Sequence, residues 1–217
     1  MANPGPNLRR EGRILFTRNA RPGHRVYGEE LRSFDGVEHR LWDPWRSKLA
    51  AYLLRDGPSL ELDRCRRALY LGGAHGTTVS HLADLIDPAP VFVVEKSPAS
   101  FAPLLAFAES RPNVLPILAD AHLPERYDSE VGIVDLLYQD VAQRDQTAIF
   151  LENARACLDA RGIGLFMLKV RSVTQRRSVA EVLQETRREL AHAGWTIRYE
   201  TDLAPFARDH RALLVGR

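Results

Sequence analysis

From Cys65 to the C-terminus, apolar runs of strand length alternate with longer stretches whose apolar positions recur every three or four residues. The strand-like runs are residues 67–71, 91–95, 113–120, 131–140, 162–170, 195–201 and 211–217. Helical spacing occupies residues 77–86, 98–110, 144–158 and 178–194. This β–α alternation predicts a mostly parallel sheet with helices on both faces, and the last two runs predict an antiparallel hairpin closing one edge. Ahead of it, residues 13–18, 24–32 and 37–42 read as short strands separated by Arg21-Pro22-Gly23 and Asp35-Gly36, which are turn signals. Asp43-Pro44 reads as the start of a helix over WRSKLAAYLLRD that Gly57-Pro58 ends. The expected organisation is a mobile segment over 1–11, a small antiparallel β appendage over 12–43 and a main domain over 44–217.

With 217 residues, 45% of them hydrophobic and 27% charged, the chain can enclose one substantial core. Its longest apolar stretches fall far short of the roughly 18 residues that cross a bilayer. The opening lacks the apolar core of a secretory signal, so a cytoplasmic location is expected. Cys65 and Cys157 have neither zinc nor redox spacing and are expected as reduced, packed thiols; no metal is called for. Net charge is +2, yet residues 1–32 carry seven arginines against Glu11, Glu29 and Glu30, a local excess of four. Of 30 basic residues only Lys48, Lys96 and Lys169 are lysine. Arginine cannot give up its proton, so the positions that keep lysine are candidates for proton chemistry.

In parallel sheets ligands sit beyond the carboxyl ends of the strands. The first strand is followed by Gly72-Gly73-Ala74-His75-Gly76-Thr77-Thr78, a glycine turn into a helix that fits neither a P-loop nor a strict dinucleotide fingerprint. Glu95 ends the next strand about 20 residues past the glycines, where a carboxylate can accept from ribose hydroxyls. Asp120 follows the third strand, suited to an adenine amino group. Tyr138 to Gln143 and Lys169 follow the fourth and fifth. Asp140 and Lys169, at the lip of apolar strands, either serve a ligand or form a structural ion pair.

Together VYGEE at Val26, LWDPWRSKLAA at Leu41, LYLGGAHGTTVSH at Leu69, NVLPILADAHLPERY at Asn113, VDLLYQDVAQRDQ at Val134, the strand ending at Lys169 and the terminal RDHRALLVGR resemble the fibrillarin family in its archaeal form, over about residues 12 to 217. The resemblance implies a Rossmann-like class I methyltransferase fold, with a seven-stranded sheet whose last strand is antiparallel, and S-adenosyl-L-methionine as cofactor. It implies 2′-O-methylation of ribose in rRNA, with tRNA as a further substrate, at sites set by a box C/D guide RNA. Implied partners are a NOP-domain scaffold protein and a kink-turn-binding protein. Carried over by position, the cofactor residues are Gly72, Thr77, Thr78, Glu95, Lys96, Asp120, Ala121, Asp140, Val141, Ala142 and Gln143, and the catalytic set is Lys48, Asp140, Lys169 and His210, with Lys169 as base. The chain departs from the family pattern at His75, at Lys96, where an aromatic is usual, and at Val170-Arg171. A nicotinamide-dependent oxidoreductase would leave both lysines, Asp120 and Asp140 without a joint purpose. A catalytically silent assembly subunit is the other alternative, on the strength of His75 and Lys96.

Overall fold

Buried runs with a side-chain period of two can fill two cores at once, one on each face of a sheet, and the central strands do so. The computed structural model describes residues 6–58, 60, 62–174 and 176–217. Strands β1 (Leu8–Glu11), β2 (Ile14–Arg18), β3 (Leu31–Phe34) and β4 (Val37–Trp42) form an antiparallel sheet in the order β1-β2-β4-β3. Helix α1 (Lys48–Leu54) leads to the main sheet. There follow β5 (Ala68–Leu71), α2 (Thr77–Ile86), β6 (Val91–Glu95), α3 (Pro98–Glu109), β7 (Val114–Leu118) and the short α4 (Asp128–Val131). Then come β8 (Val134–Gln139), α5 (Gln146–Cys157), β9 (Leu158–Lys169), α6 (Val170–Val173), α7 (Val179–His192), β10 (Thr196–Asp202) and β11 (His210–Gly216).

The seven-stranded sheet runs β10-β11-β9-β8-β5-β6-β7, parallel except for β11, which is antiparallel to both neighbours. Tyr70, Tyr138 and Met167 point into the core shared with α1, α2 and the N-terminal sheet, while Leu69, Leu71, Leu137, Phe166 and Leu168 point into the core under α5 and α7. The expected fold class and the order of its elements are those observed.

Three expectations at the N-terminal end differ. Leu8–Glu11, within the segment expected to be mobile, pairs with β2, so the small sheet begins before Gly12; residues 1–5 lie outside the described residues. The run 24–32 is a strand only from Leu31. Gly28 stands at φ +84°, and the Glu29 carboxylate accepts the N–H groups of Val26 (3.0 Å) and Tyr27 (2.9 Å), so these donors go to a side chain instead of a ladder. Helix α1 starts at Lys48, not at Asp43-Pro44. Asp43 Oδ1 accepts from Trp45 N at 2.8 Å in a turn, and Ser47 is the residue that caps the helix, its side chain accepting from Ala50 N. Cys65 and Cys157 are free thiols, each pushed up to about 11 by burial.

The small sheet is fastened to α2 by a buried ionic network. Arg40 donates to Asp84 (2.9 Å), Glu29 (2.5 Å) and Ser80 (2.9 Å), and Arg111 pairs with the other oxygen of Asp84. His81 bonds Thr17 and Tyr27, each at 2.7 Å, and stacks on Trp42. Burial holds His81 well below its ordinary value, with Arg40 and Arg111 pushing the same way, so it bridges as a neutral ring.

Candidate active site

A cleft forms where the carboxyl ends of β5, β6, β7 and β8 meet. Gly72, just past β5, has φ +86°, and a Cβ there would lie 2.4 Å from the Asp140 carbonyl oxygen. Only glycine lets the loop after β5 sit against the loop after β8. Gly76, at φ +81°, turns the chain into α2. The Glu95 carboxylate accepts from Ala74 N at 2.9 Å and Ser97 N at 2.8 Å, fixing the glycine loop over the end of β6.

The resulting cavity has a volume of about 290 Å³. Of the expected cofactor residues, Gly72, Glu95, Lys96, Ala121, Asp140, Val141, Ala142 and Gln143 line it. Thr77, Thr78 and Asp120 do not. Thr77 sits in the first turn of α2 with its carbonyl accepting from Ser80 Oγ. Thr78 is buried and donates to Ser47 Oγ at 3.1 Å, so its hydroxyl serves the cap of α1. Asp120 stands on the rim, 3.7 Å from Lys96 Nζ.

At the open side Lys48 Nζ donates to Asp140 Oδ2 at 2.7 Å, joining residues 92 positions apart. Both side chains keep part of their surface in solvent. Asp140, weighed above as a partner of Lys169, is paired instead with Lys48. Lys169 ends β9 directly opposite His210, the first residue of β11. All four expected catalytic residues therefore converge: Lys48, Lys169 and Asp140 all act electrostatically on His210. Burial pushes the His210 imidazole below its ordinary value; Lys48 and Lys169 add to this, against the Arg208 carbonyl and Asp140. Its Nδ1 lies 2.8 Å from Arg208 O. A carbonyl only accepts, so Nδ1 carries the proton and Nε2 the lone pair.

Several residues that hold this arrangement went unnoticed in the sequence. Fully buried Gln146 accepts from Lys169 N (2.9 Å) and donates to Lys169 O (3.1 Å), and its own carbonyl accepts from Gln139. It fixes the backbone that carries the lysine. Ser47 is the second, through its cap on α1. His122 bridges Asp120 (3.0 Å) to Asp145 (2.5 Å) and so joins the rim after β7 to the start of α5. Desolvation alone would lower the His122 pKa, but the bonds to Asp145 and Asp120 outweigh it and raise it. A histidine between two carboxylates was the available signal, though its partner Asp145 is 23 residues away.

The fibrillarin family model matches residues 7–217. The chain is 42% identical over 203 residues to the fibrillarin-like rRNA/tRNA 2′-O-methyltransferase of Methanothermobacter thermautotrophicus, covering 94% of this chain and 91% of that one. Fibrillarin of Aeropyrum pernix, solved with natively bound S-adenosyl-L-methionine, superposes with a TM-score of 0.86 at 41% identity over 93% of this chain and 88% of that one. A fibrillarin in a solved fibrillarin/Nop5p complex superposes with a TM-score of 0.87 at 38% identity over 97% of both chains. With its sequence matched almost end to end, this chain belongs to the fibrillarin family.

Proposed function

We propose that this protein methylates the 2′-oxygen of ribose in rRNA, and in tRNA, using S-adenosyl-L-methionine at sites chosen by a box C/D guide RNA. In this reading it works in a cytoplasmic particle with a NOP-domain scaffold and a kink-turn-binding protein. The observation that carries the chemistry is the Lys48–Asp140 pair, poised with Lys169 and His210 at the mouth of a strand-end cavity. The activity named for the archaeal relatives, the cofactor bound in the Aeropyrum protein and the Nop5p complex support the rest.

The lining of the cavity suits the cofactor. Gly72 brings the loop after β5 against the loop after β8 so that both line the cavity, and Glu95 offers a carboxylate to hydroxyl groups. Lys96, where relatives usually carry an aromatic, reaches toward Asp120, so an ion pair stands where a flat apolar contact is expected. Bound S-adenosyl-L-methionine supplies an electrophilic methyl group on a cationic sulfur.

What the chain adds is a place for the substrate hydroxyl and its proton. Lys48, bonded to Asp140, acts as a fixed ammonium that attracts the hydroxyl oxygen as it gains charge. Asp140 offsets the crowding of positive groups and orients the amine. Lys169, whose backbone Gln146 clamps, takes the proton. His210, whose pKa burial lowers, adds no positive charge of its own beside Lys48.

The test is a reconstituted transfer assay with guide, target and scaffold. Methyl should enter a target with a ribose hydroxyl and not one whose 2′-hydroxyl is replaced by hydrogen. Lys169→Ala should slow transfer by about 10²- to 10⁴-fold, the range for a general base, with unchanged cofactor affinity by calorimetry. Transfer that survives this substitution overturns the assignment.

A further inference from the structure

Trp45 is 64% exposed, whereas Trp42 and Trp195 are buried. It lies three residues before Lys48, and its ring meets the edge of Phe206 with centroids 5.2 Å apart at 73°. Phe206 belongs to the β10–β11 connection, which the Leu203 N to His210 O bond closes, four residues before His210. Two loops distant in the chain thus bring together exposed Trp45 and half-buried Phe206, which also packs against the core, close in sequence to Lys48 and His210.

Each loop also carries an exposed arginine, Arg46 next to Trp45 and Arg208 two residues after Phe206. Arg46 is packed over the Tyr27 ring at 5.4 Å and lies 3.9 Å from Asp43 Oδ2, an exposed pairing that a phosphate can replace. An aromatic pair with an exposed arginine close by in each loop matches a nucleotide strand, in which sugar faces alternate with phosphates. In an A-form duplex the 2′-hydroxyls line a wide, shallow minor groove that a low protein ridge can enter.

We propose that Trp45 and Phe206 form a ribose-docking ridge: they pack against the sugar beside the target nucleotide in the minor groove of the guided duplex, while Arg46 and Arg208 take the flanking phosphates. The inference rests on the methyltransferase reading above. The ridge sets which hydroxyl reaches Lys169, so Trp45 and Phe206 are positioning residues that select the nucleotide.

The experiment is single-turnover methylation in the assembled particle at saturating target, with the modified nucleotide mapped. Trp45→Ala and Phe206→Ala should each slow transfer about tenfold and spread methyl onto adjoining nucleotides. Trp45→Phe should keep the wild-type distribution, and cofactor affinity should not change in any variant. Wild-type rate and placement in both alanine variants overturn the ridge. So does a slowed rate with unchanged placement, which would mean that Trp45 acts only through Lys48. Loss of scaffold binding would make the pair a protein contact and overturn it too. Absence of transfer by the wild type fails the underlying reading instead, and is told apart because the variants then have no rate to lose.

Discussion

Two charged clusters flank the same β5–α2 unit, one sealed and one open. Arg40 and Asp84 have no side-chain exposure, and Arg40 reaches Asp84, Glu29 and Ser80 at once. Lys48 and Asp140 keep 26% and 18% of their side-chain surface in solvent. Burying an ion pair brings desolvation close to the Coulomb gain, so the sealed cluster defines how the small sheet seats on α2 more than it adds stability. The open pair keeps the access to substrate that chemistry needs. Similar residue types thus serve architecture in one place and reaction in the other, and solvent access separates them.

The comparison breaks most sharply at Asp84. Asp84→Ala takes its carboxylate from the buried Arg111 and one of two carboxylates from Arg40, which keeps Glu29, and loss of one partner of a buried pair removes about 3–5 kcal/mol of stability. Chemical denaturation should show that loss. Lys48→Met inverts the pattern: transfer should fall about a hundredfold, or ~2.7 kcal/mol in the barrier, with a melting temperature close to wild type. If Lys48→Met unfolds the protein, or Asp84→Ala leaves stability untouched, the division between sealed and open clusters is wrong.

A smaller effect lies between the two. Thr78→Val removes the hydroxyl that donates to Ser47 and leaves the cap of α1 with one contact fewer. The expected cost is about 1 kcal/mol of stability. Because α1 carries Lys48, a few-fold drop in transfer should accompany it with cofactor affinity unchanged. Intact cofactor binding would sharpen the assignment of Thr78 to the scaffold of the helix.

Much of the main domain could be read from its pattern because its signals are local. Val91–Glu95 and Thr77–Ile86 carry their periods in consecutive residues, and both elements match the expectation to the residue. The N-terminal sheet was read less well. Backbone donors at Val26 and Tyr27 are taken by the Glu29 side chain, which strand periodicity does not register. The sealed network unites Glu29, Arg40, Asp84 and Arg111, which no spacing rule links. Rim positions such as Glu95 follow from strand ends alone. The meeting of Lys48 with Asp140 came from family resemblance, since it depends on how α1 folds back over the sheet. His122 and Gln146 escaped because their roles are contacts with residues 23 positions away.

The His122 clasp is intermediate between the two clusters and has the smallest expected effect. Its pKa is raised, so its stabilising contribution is complete below the ordinary imidazole value and disappears as pH rises through the folded value. The pKa values of Asp120 and Asp145 are lowered: His122 hydrogen bonding leads for Asp145, and for Asp120 the His122 bonds and Lys96 outweigh desolvation. Their contribution holds above the ordinary carboxylate value and is lost as pH falls through the folded one. The clasp is therefore strongest between those limits, around pH 5 to 6.5. His122→Ala should lower the melting temperature most in that window, by an amount equivalent to no more than about 1 kcal/mol given the solvent around the ring, with the difference from wild type closing as pH rises through the raised imidazole value. A difference that stays constant with pH would make the ring a packing element, and one that grows with alkalinity would reverse the sign of the proposed linkage.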